Sequence, residues 1–302
     1  MSALAPLYSR GEMAIIHAAG SHDESRSHFD AQDYMESGTP GIKSTRDGWL
    51  NRYLQARRDD DAGAFRAVAM GGQMPRALQG PAPALAMTDL SRFGLGANPP
   101  AVGQAFADQY AAAADRVLGG AGQDAFEAMR TLDRVDPGRY QPEHGAVYPR
   151  SPFGQALQQI AQLAKADVGL EVAFADIGGW DTHVNQGGAD GVLATRLGDF
   201  ATAIAALVAD LGDRMADTVV LTMSEFGRAV RENGGRGTDH GHGNAMLVIG
   251  GGVRGGQVYG RWPGLAEDQR FEGRDLAITT DFRDVFAEVI VRHLGVRDPQ
   301  PV

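Results

Sequence analysis

The chain has no cysteine, which excludes disulfides, thiolate metal ligands and a cysteine nucleophile. No run of lysine and arginine stands out in it either. Its 38 acidic residues outnumber 28 basic ones for a formal charge of -10, which argues against a nucleic-acid or anionic-membrane partner. An anionic substrate would therefore need local positive charge, from a metal or from arginine. No stretch is expected to reach the roughly 20 apolar residues of a membrane span. The opening residues, MSALAPLYSRGEM, show no basic segment followed by an apolar one, so the sequence as it stands is expected to remain cytoplasmic. What it does have is 302 residues, 43% of them hydrophobic, enough for one large domain with a proper core or two small ones.

Apolar runs place strands at Ala14–Ala18, Phe65–Met70, Leu170–Ala175, Val219–Met223 and Ala245–Ile249. Helical spacing predicts helices from His28 to Ser37, with Ser27 before and Gly38 after it, and from Thr45 to Arg57. The Gly-, Pro- and Ala-rich stretch from Gly71 to Pro100 reads as irregular. Ala-rich helices are expected at Ala101–Leu118 and Asp124–Val135, then a loop to Pro152 and a helix to Lys165, so that about 71–150 reads as an insertion in a single domain. Ala189–Leu211 is a long amphipathic helix with Val192, Leu193, Leu197, Phe200, Ile204, Leu207, Val208 and Leu211 on its buried side. A last helix starts near Asp281 with Thr280 as N-cap and ends at Gly295. Strand 170–175, helix 189–211 and strand 219–223 read as a right-handed parallel crossover, the unit of an α/β sheet covered on both faces.

In a parallel sheet, Ser21–His28, Ile177–His183 and Ser224–Arg228 share an edge, because each follows the C-terminal end of a strand. Asp181 and His183 in GGWDTHVNQ, Glu225 in SEFGR, and Asp239, His240 and His242 in GTDHGHG then converge from separate loops. Carboxylate and imidazole ligands without thiolate suit Zn²⁺, Mn²⁺ or Mg²⁺ at a catalytic site. Two such ions about 4 Å apart can stabilise both oxygens of a phosphoryl or sulfuryl transfer. The glycines around Asp239–His242 let backbone and ligands approach an ion closely. Each residue also has a plainer reading: Asp181 fits an Asx turn, His183 a loop histidine bonded to backbone, and Glu225 a partner of Arg228. His17 reads as a satisfied core residue and His293 as surface or core. His22 and His28 can line the site, though spacing fixes no partner for either.

Ser27 is the candidate nucleophile, since a hydroxyl at a helix N-terminus gains from the dipole and from the free N–H groups there. Arg26 adds charge beside it, and Arg228 is a second candidate for holding an oxyanion. The competing reading makes Ser27 with Asp30 an ordinary capping-box-like helix start.

The strings AIIHAAGSHDESRSHFDAQDYMESGTPG, GGWDTHVNQ, VVLTMSEFGRAVRENGGRGTDHGHGNAMLVIGGGVRGGQVYGRWPGL and ITTDFRDVFAEVI together resemble the DUF1501 family over nearly the full length. That family is similar to the alkaline phosphatase-like superfamily of phosphatases, sulfatases, phosphodiesterases and cofactor-independent phosphoglycerate mutases. The resemblance implies a three-layer α/β/α sandwich with a mostly parallel sheet, metal ligands on sheet-edge loops and a hydroxyl or thiol nucleophile heading a helix. By position, Ser27 matches the nucleophile, Asp181 and His183 an Asp…His metal pair, and His240 the later histidine. Ser224–Glu225 stands where relatives have Asp-His. Residues 2–8 hold neither the twin-arginine export signal nor the first strand and glycine-rich turn usual in the family, which would make a natural form with a longer N-terminus an exported protein. Two function classes follow: a metal-dependent hydrolase of small-molecule or polymer phosphate or sulfate esters, and a non-catalytic exported binding protein that keeps the fold. Oligomeric state is open.

Overall fold

The structure is a computed structural model that describes residues 1–57, 59, 63–92, 128, 131 and 137–297. It is mixed α/β. The larger sheet runs in the order β5 (Val219–Leu221), β6 (Asn244–Gly250), β1 (Met13–Gly20) and β7 (Val258–Tyr259), with β8 (Thr280–Asp281) also pairing with β1. The smaller sheet runs β3 (Leu85–Met87), β2 (Ala67–Met70), β4 (Val172–Ala175).

The expected parallel arrangement holds in the smaller sheet, where both neighbours of β2 are parallel to it. It does not hold across the larger one: β6 is antiparallel to β1 and to β5, and β7 and β8 are parallel to β1. The reason is local, because the chain leaving β5 folds back as a ribbon and returns beside it. The expected parallel crossover is corrected in the same way, since β4 pairs in one sheet and β5 in the other. β3, inside the stretch read as irregular, is a strand that pairs in register with Val68–Met70.

The helices are α1 (Ala5–Ser9), α2 (His28–Ser37), α3 (Trp49–Ala56), α4 (Pro152–Lys165), α5 (Val192–Leu211) and α6 (Phe282–Arg292). Strand alternation decides what they cover. In β6, Met246 and Val248 join a core with Trp49, Tyr53, Leu54, Phe282 and Phe286, whereas Leu247 and Ile249 join one with Phe153, Leu157, Ile204 and Leu207. In β2, Ala67 and Ala69 belong to the first of these cores, while Val68 and Met70 meet Ala156 and Leu163 of α4. Helices α3 and α6 therefore cover one face, their Trp49 and Phe286 rings stacked at 4.2 Å, and α4 and α5 cover the other. Each fully buried aliphatic side chain here, such as Ile204 or Ile249, contributes about 1.5–3 kcal/mol.

Several boundaries are sharper than the pattern implied. Helix α2 spans His28–Ser37 with Gly38 in the left-handed conformation at its end, as expected. The last helix starts later, because Thr280 is taken into pairing with Ala19 of β1 and Asp281 becomes the N-cap, accepting from the Arg283 N–H at 2.9 Å. Val192, assigned to the buried side of α5, is exposed at the first turn. Val192–Asp217, α5 with its extension, is also long and apolar enough by length and composition to cross a membrane, which corrects the expectation that no stretch is. It packs as a core helix through Ala201, Ala203, Ile204, Leu207 and Leu211. The Ala-rich helices expected at 101–118 and 124–135 lie outside the described residues except for Ala128 and Thr131, both helical.

One buried polar knot fixes the segment before α4. The Asp210 carboxylate of α5, fully buried, accepts from Lys165 Nζ at 2.6 Å, the Tyr140 and Tyr148 hydroxyls at 2.7 and 2.8 Å, and the Glu143 N–H at 2.8 Å. Burial works to raise its pKa, but these donors outweigh it and hold the group below the usual aspartate range.

Candidate metal centre

Three loops build the site, and each has its own local cause. The β1–β6 ladder loses register between Ile16 and Ala19, with Ala18 at a φ of 49°, so β1 bends as it leaves the sheet. The following loop is a chain of side-chain-closed turns: Asp23 N–H donates to Ser21 Oγ, Ser25 N–H to Asp23 Oδ1, and Ser27 N–H to Ser25 Oγ. It delivers His28 as the first residue of α2. The second loop, after β4, is tied at its start by Trp180 Nε1–H to the Ile177 carbonyl at 2.6 Å.

The third is the ribbon between β5 and β6. It closes through Ala229 N–H to Asp239 O, Gly241 N–H to Gly227 O and Gly227 N–H to His242 O. A Cβ on Gly241 would stand 2.4 Å from the Arg228 carbonyl carbon, so the two arms meet this closely only because position 241 is glycine. Gly237 serves the same end between loops, where a Cβ would stand 2.3 Å from His183 backbone.

Together these loops bring His28, Asp181, His183 and His240 to one point. His183 Nε2 and His240 Nε2 are 3.0 Å apart, and each is 2.9 Å from Asp181 Oδ1. His28 Nε2 reaches the other carboxylate oxygen at 3.4 Å. One ligand atom each from His28, Asp181 and His240 fall within 4.8 Å of one another. Phe226, buried, lies against the rings of His28 and His240 at 4.9 and 4.8 Å.

The opposite nitrogen of every ring is committed. His240 Nδ1–H donates to the Arg26 carbonyl at 2.8 Å, His183 Nδ1–H to Asp239 Oδ1 at 3.0 Å, and His28 Nδ1–H to Glu225 Oε1 at 2.7 Å. A neutral imidazole that donates from Nδ1 presents a bare lone pair at Nε2. Three such lone pairs therefore face one carboxylate, an arrangement that repels itself unless a cation or added protons sit among them. Ligand atoms about 2.1 Å from a common ion stand about 3 Å apart at right angles and about 3.4 Å apart in a tetrahedron. The separations of 2.9–3.0 Å among His183, His240 and Asp181 and of 3.4 Å from His28 to Asp181 fit, and the outer carboxylates and carbonyl are the partners that metal-bound histidines ordinarily have.

Asp181 also takes Arg228 Nη1 at 2.6 Å. Partial burial works to raise its carboxyl, but the hydrogen bonds from Arg228 and His240 and the nearby imidazoles prevail and hold it at about 2. Asp239 is lowered too, first by the Asn233 amide at 2.8 Å and then by His183.

The sequence-derived residues divide accordingly. Asp181, His183 and His240 converge. Glu225 and Asp239 stand one step out, each holding a histidine, with Ser224 Oγ donating to Glu225. His242 lies apart, its buried ring stacked on Phe271 at 4.2 Å and its pKa lowered by burial and by Arg26. Arg26 is turned into an ion pair with the fully buried Asp275 at 2.7 Å and with Glu272 at 2.6 Å. Arg228 is clamped between Asp181 and Thr238. Ser27 is exposed between Arg26 and His28, and its side chain makes no capping bond. His17, read as a satisfied core residue, is half-buried against Trp262 with no hydrogen-bond partner for Nε2 among the described residues. His28 is the residue that spacing did not assign. Its signal was its place beside Ser27 at the head of α2.

A family model described as "Protein of unknown function (DUF1501)" matches residues 16–300. No curated protein and no solved structure matches the chain.

Proposed function

The chain belongs to the DUF1501 family, and we propose that it is a metal-dependent hydrolase of phosphate or sulfate esters with the three-layer α/β/α architecture of alkaline phosphatase-like enzymes. The carrying observation is the convergence of three imidazole Nε2 atoms on the Asp181 carboxylate while each Nδ1 is anchored. His28, Asp181, His183 and His240 would hold one divalent ion, and three imidazoles with one carboxylate favour zinc over manganese or magnesium. Bound there, the ion would supply Lewis-acid stabilisation of a phosphoryl or sulfuryl oxygen. Because Glu225 and Asp239 are spent on orienting histidines, the reading is of one metal rather than two.

The rest is done by the chain itself. Ser27 Oγ, free of a capping role, attacks phosphorus or sulfur and the ester bond to the alcohol breaks. The serine proton leaves on the departing alcohol, and water then cleaves the serine ester to return the hydroxyl and release phosphate or sulfate. The unpaired N–H groups at the start of α2 face the transferring oxyanion. Arg228 keeps Asp181 ionised, and Arg26 contributes through its carbonyl, which fixes the His240 tautomer.

One observation favours binding without turnover: both arginines are committed to carboxylates, Arg26 to Asp275 and Arg228 to Asp181. Turnover of a panel of chromogenic phosphate and sulfate esters by zinc-loaded protein separates the two readings. Hydrolysis that is lost in Ser27→Ala supports the enzyme, and inert wild type supports the binder.

A further inference from the structure

A cleft of about 500 Å³ opens between α2, the helix that begins with His28, and the C-terminal ends of β2 and β4. It shares two elements with the site. Phe29, the residue after His28, stands at its mouth with 90% of its surface exposed, although large aromatic side chains are rarely so presented. Gln32 follows His28 by one helical turn and also lines the cleft, as does Asp176 at the end of β4, in the loop that leads to Asp181. The floor is apolar through Met70, Met74 and Phe174.

The cleft holds three carboxyl groups, of which Asp33 is paired with Arg76, Glu36 is buried with its pKa raised by burial, and Asp176 stands exposed. Arg76, the only cation among its lining residues, spends its guanidinium on Asp33 at 2.8 Å and on the Arg46 and Thr45 carbonyls at 2.9 and 2.5 Å. Glu36 is buried and takes Gln32 Nε2–H and the Ala77 N–H. Asp176 is exposed and makes no hydrogen bond or ion pair among the described residues. An anionic group entering the cleft would find no uncommitted cation among the described lining residues and at least one free carboxylate.

We propose that this cleft receives the alcohol portion of the ester, that the preferred alcohol is aromatic and carries no negative charge, and that Phe29 is the residue that selects it. The inference rests on the ester-hydrolase reading, because it places the group on the far side of the scissile bond from the metal. Phe29 would stack on the ring as it enters, and Asp176 would turn away carboxylated or phosphorylated alcohols.

Calorimetric titration of zinc-loaded protein with methylphosphonate, phenylphosphonate and 4-carboxyphenylphosphonate tests it without turnover. Phenylphosphonate should bind about tenfold more tightly than methylphosphonate, a gain of the size expected for one aromatic contact. The added carboxylate should abolish that gain, and Asp176→Asn should restore it. Phe29→Ala should reduce the phenyl preference to about threefold or less with methylphosphonate affinity unchanged. Equal affinity for the methyl and phenyl compounds, or a preference that survives Phe29→Ala, would overturn the cleft assignment and leave the hydrolase reading standing. If none of the three binds, both are overturned.

Discussion

His183 Nε2 and His240 Nε2 stand 3.0 Å apart while the opposite nitrogen of each ring donates to a fixed acceptor, the Asp239 carboxylate and the Arg26 carbonyl. Two neutral imidazoles held this way present lone pair to lone pair, and the Asp181 carboxylate adds a third at 2.9 Å from each. The protein spends a backbone carbonyl, a carboxylate and a ribbon of glycine-permitted contacts to keep them so. That organisation supports the proposed cation site over a surface hydrogen-bond network.

Metal affinity should fall as pH drops below about 6.5, the range in which free imidazoles take up protons. Zinc titrations across pH 5.5–8 read this directly. A pH-independent affinity would remove imidazole from the ligand set.

Asp239→Asn and Glu225→Gln should each weaken zinc binding by about 10- to 100-fold without abolishing it, because they orient histidines rather than ligate. Loss as complete as in a His240→Ala variant would promote either residue to a ligand.

Removing the Ser27 hydroxyl should cost most of the turnover and little of the stability. The side chain makes no capping bond, so Ser27→Ala should destabilise by less than the roughly 1 kcal/mol of a lost N-cap. Thermal melts run beside the ester panel separate the two effects, and full activity in the variant ends the nucleophile assignment.

Asp210→Ala should destabilise the fold by about 3–5 kcal/mol, since it removes the acceptor of two tyrosine hydroxyls and the Glu143 N–H and leaves the Lys165 ammonium only the exposed Glu143 carboxylate at 3.2 Å. The sign in pH follows from the lowered pKa. The folded protein holds Asp210 ionised more readily than the unfolded chain, so this stabilisation is fully present above about pH 4 and is lost as pH falls further, through the folded pKa. Urea midpoints at pH 7 and pH 3 should therefore converge between wild type and variant. A constant gap across that range would contradict the assignment.

Much of this was legible in the sequence where a local signal decides the outcome. Ser27 before and Gly38 after the run set α2, and the glycines around Asp239–His242 announced a close backbone approach, though not the ribbon that makes it. The convergence of the loops after β1, β4 and β5 was foreseen, but through a parallel crossover that does not exist. β4 and β5 lie in different sheets, and strand partners are chosen by long-range packing that period-two patterns do not encode. The proposed ligand roles were least legible. Asp239, His240 and His242 look alike in GTDHGHG, yet ribbon geometry sends His240 to Asp181, Asp239 to a neighbouring histidine and His242 under Phe271. His28 carried only its position at the head of a helix.

The most direct measurement is zinc content of the purified, zinc-loaded chain by elemental analysis, for wild type, His240→Ala, His28→Ala and His242→Ala. Close to one ion per chain is predicted for wild type and for His242→Ala, with strong loss in His240→Ala and His28→Ala. Equal content in wild type and His240→Ala, or loss only in His242→Ala, would contradict the site.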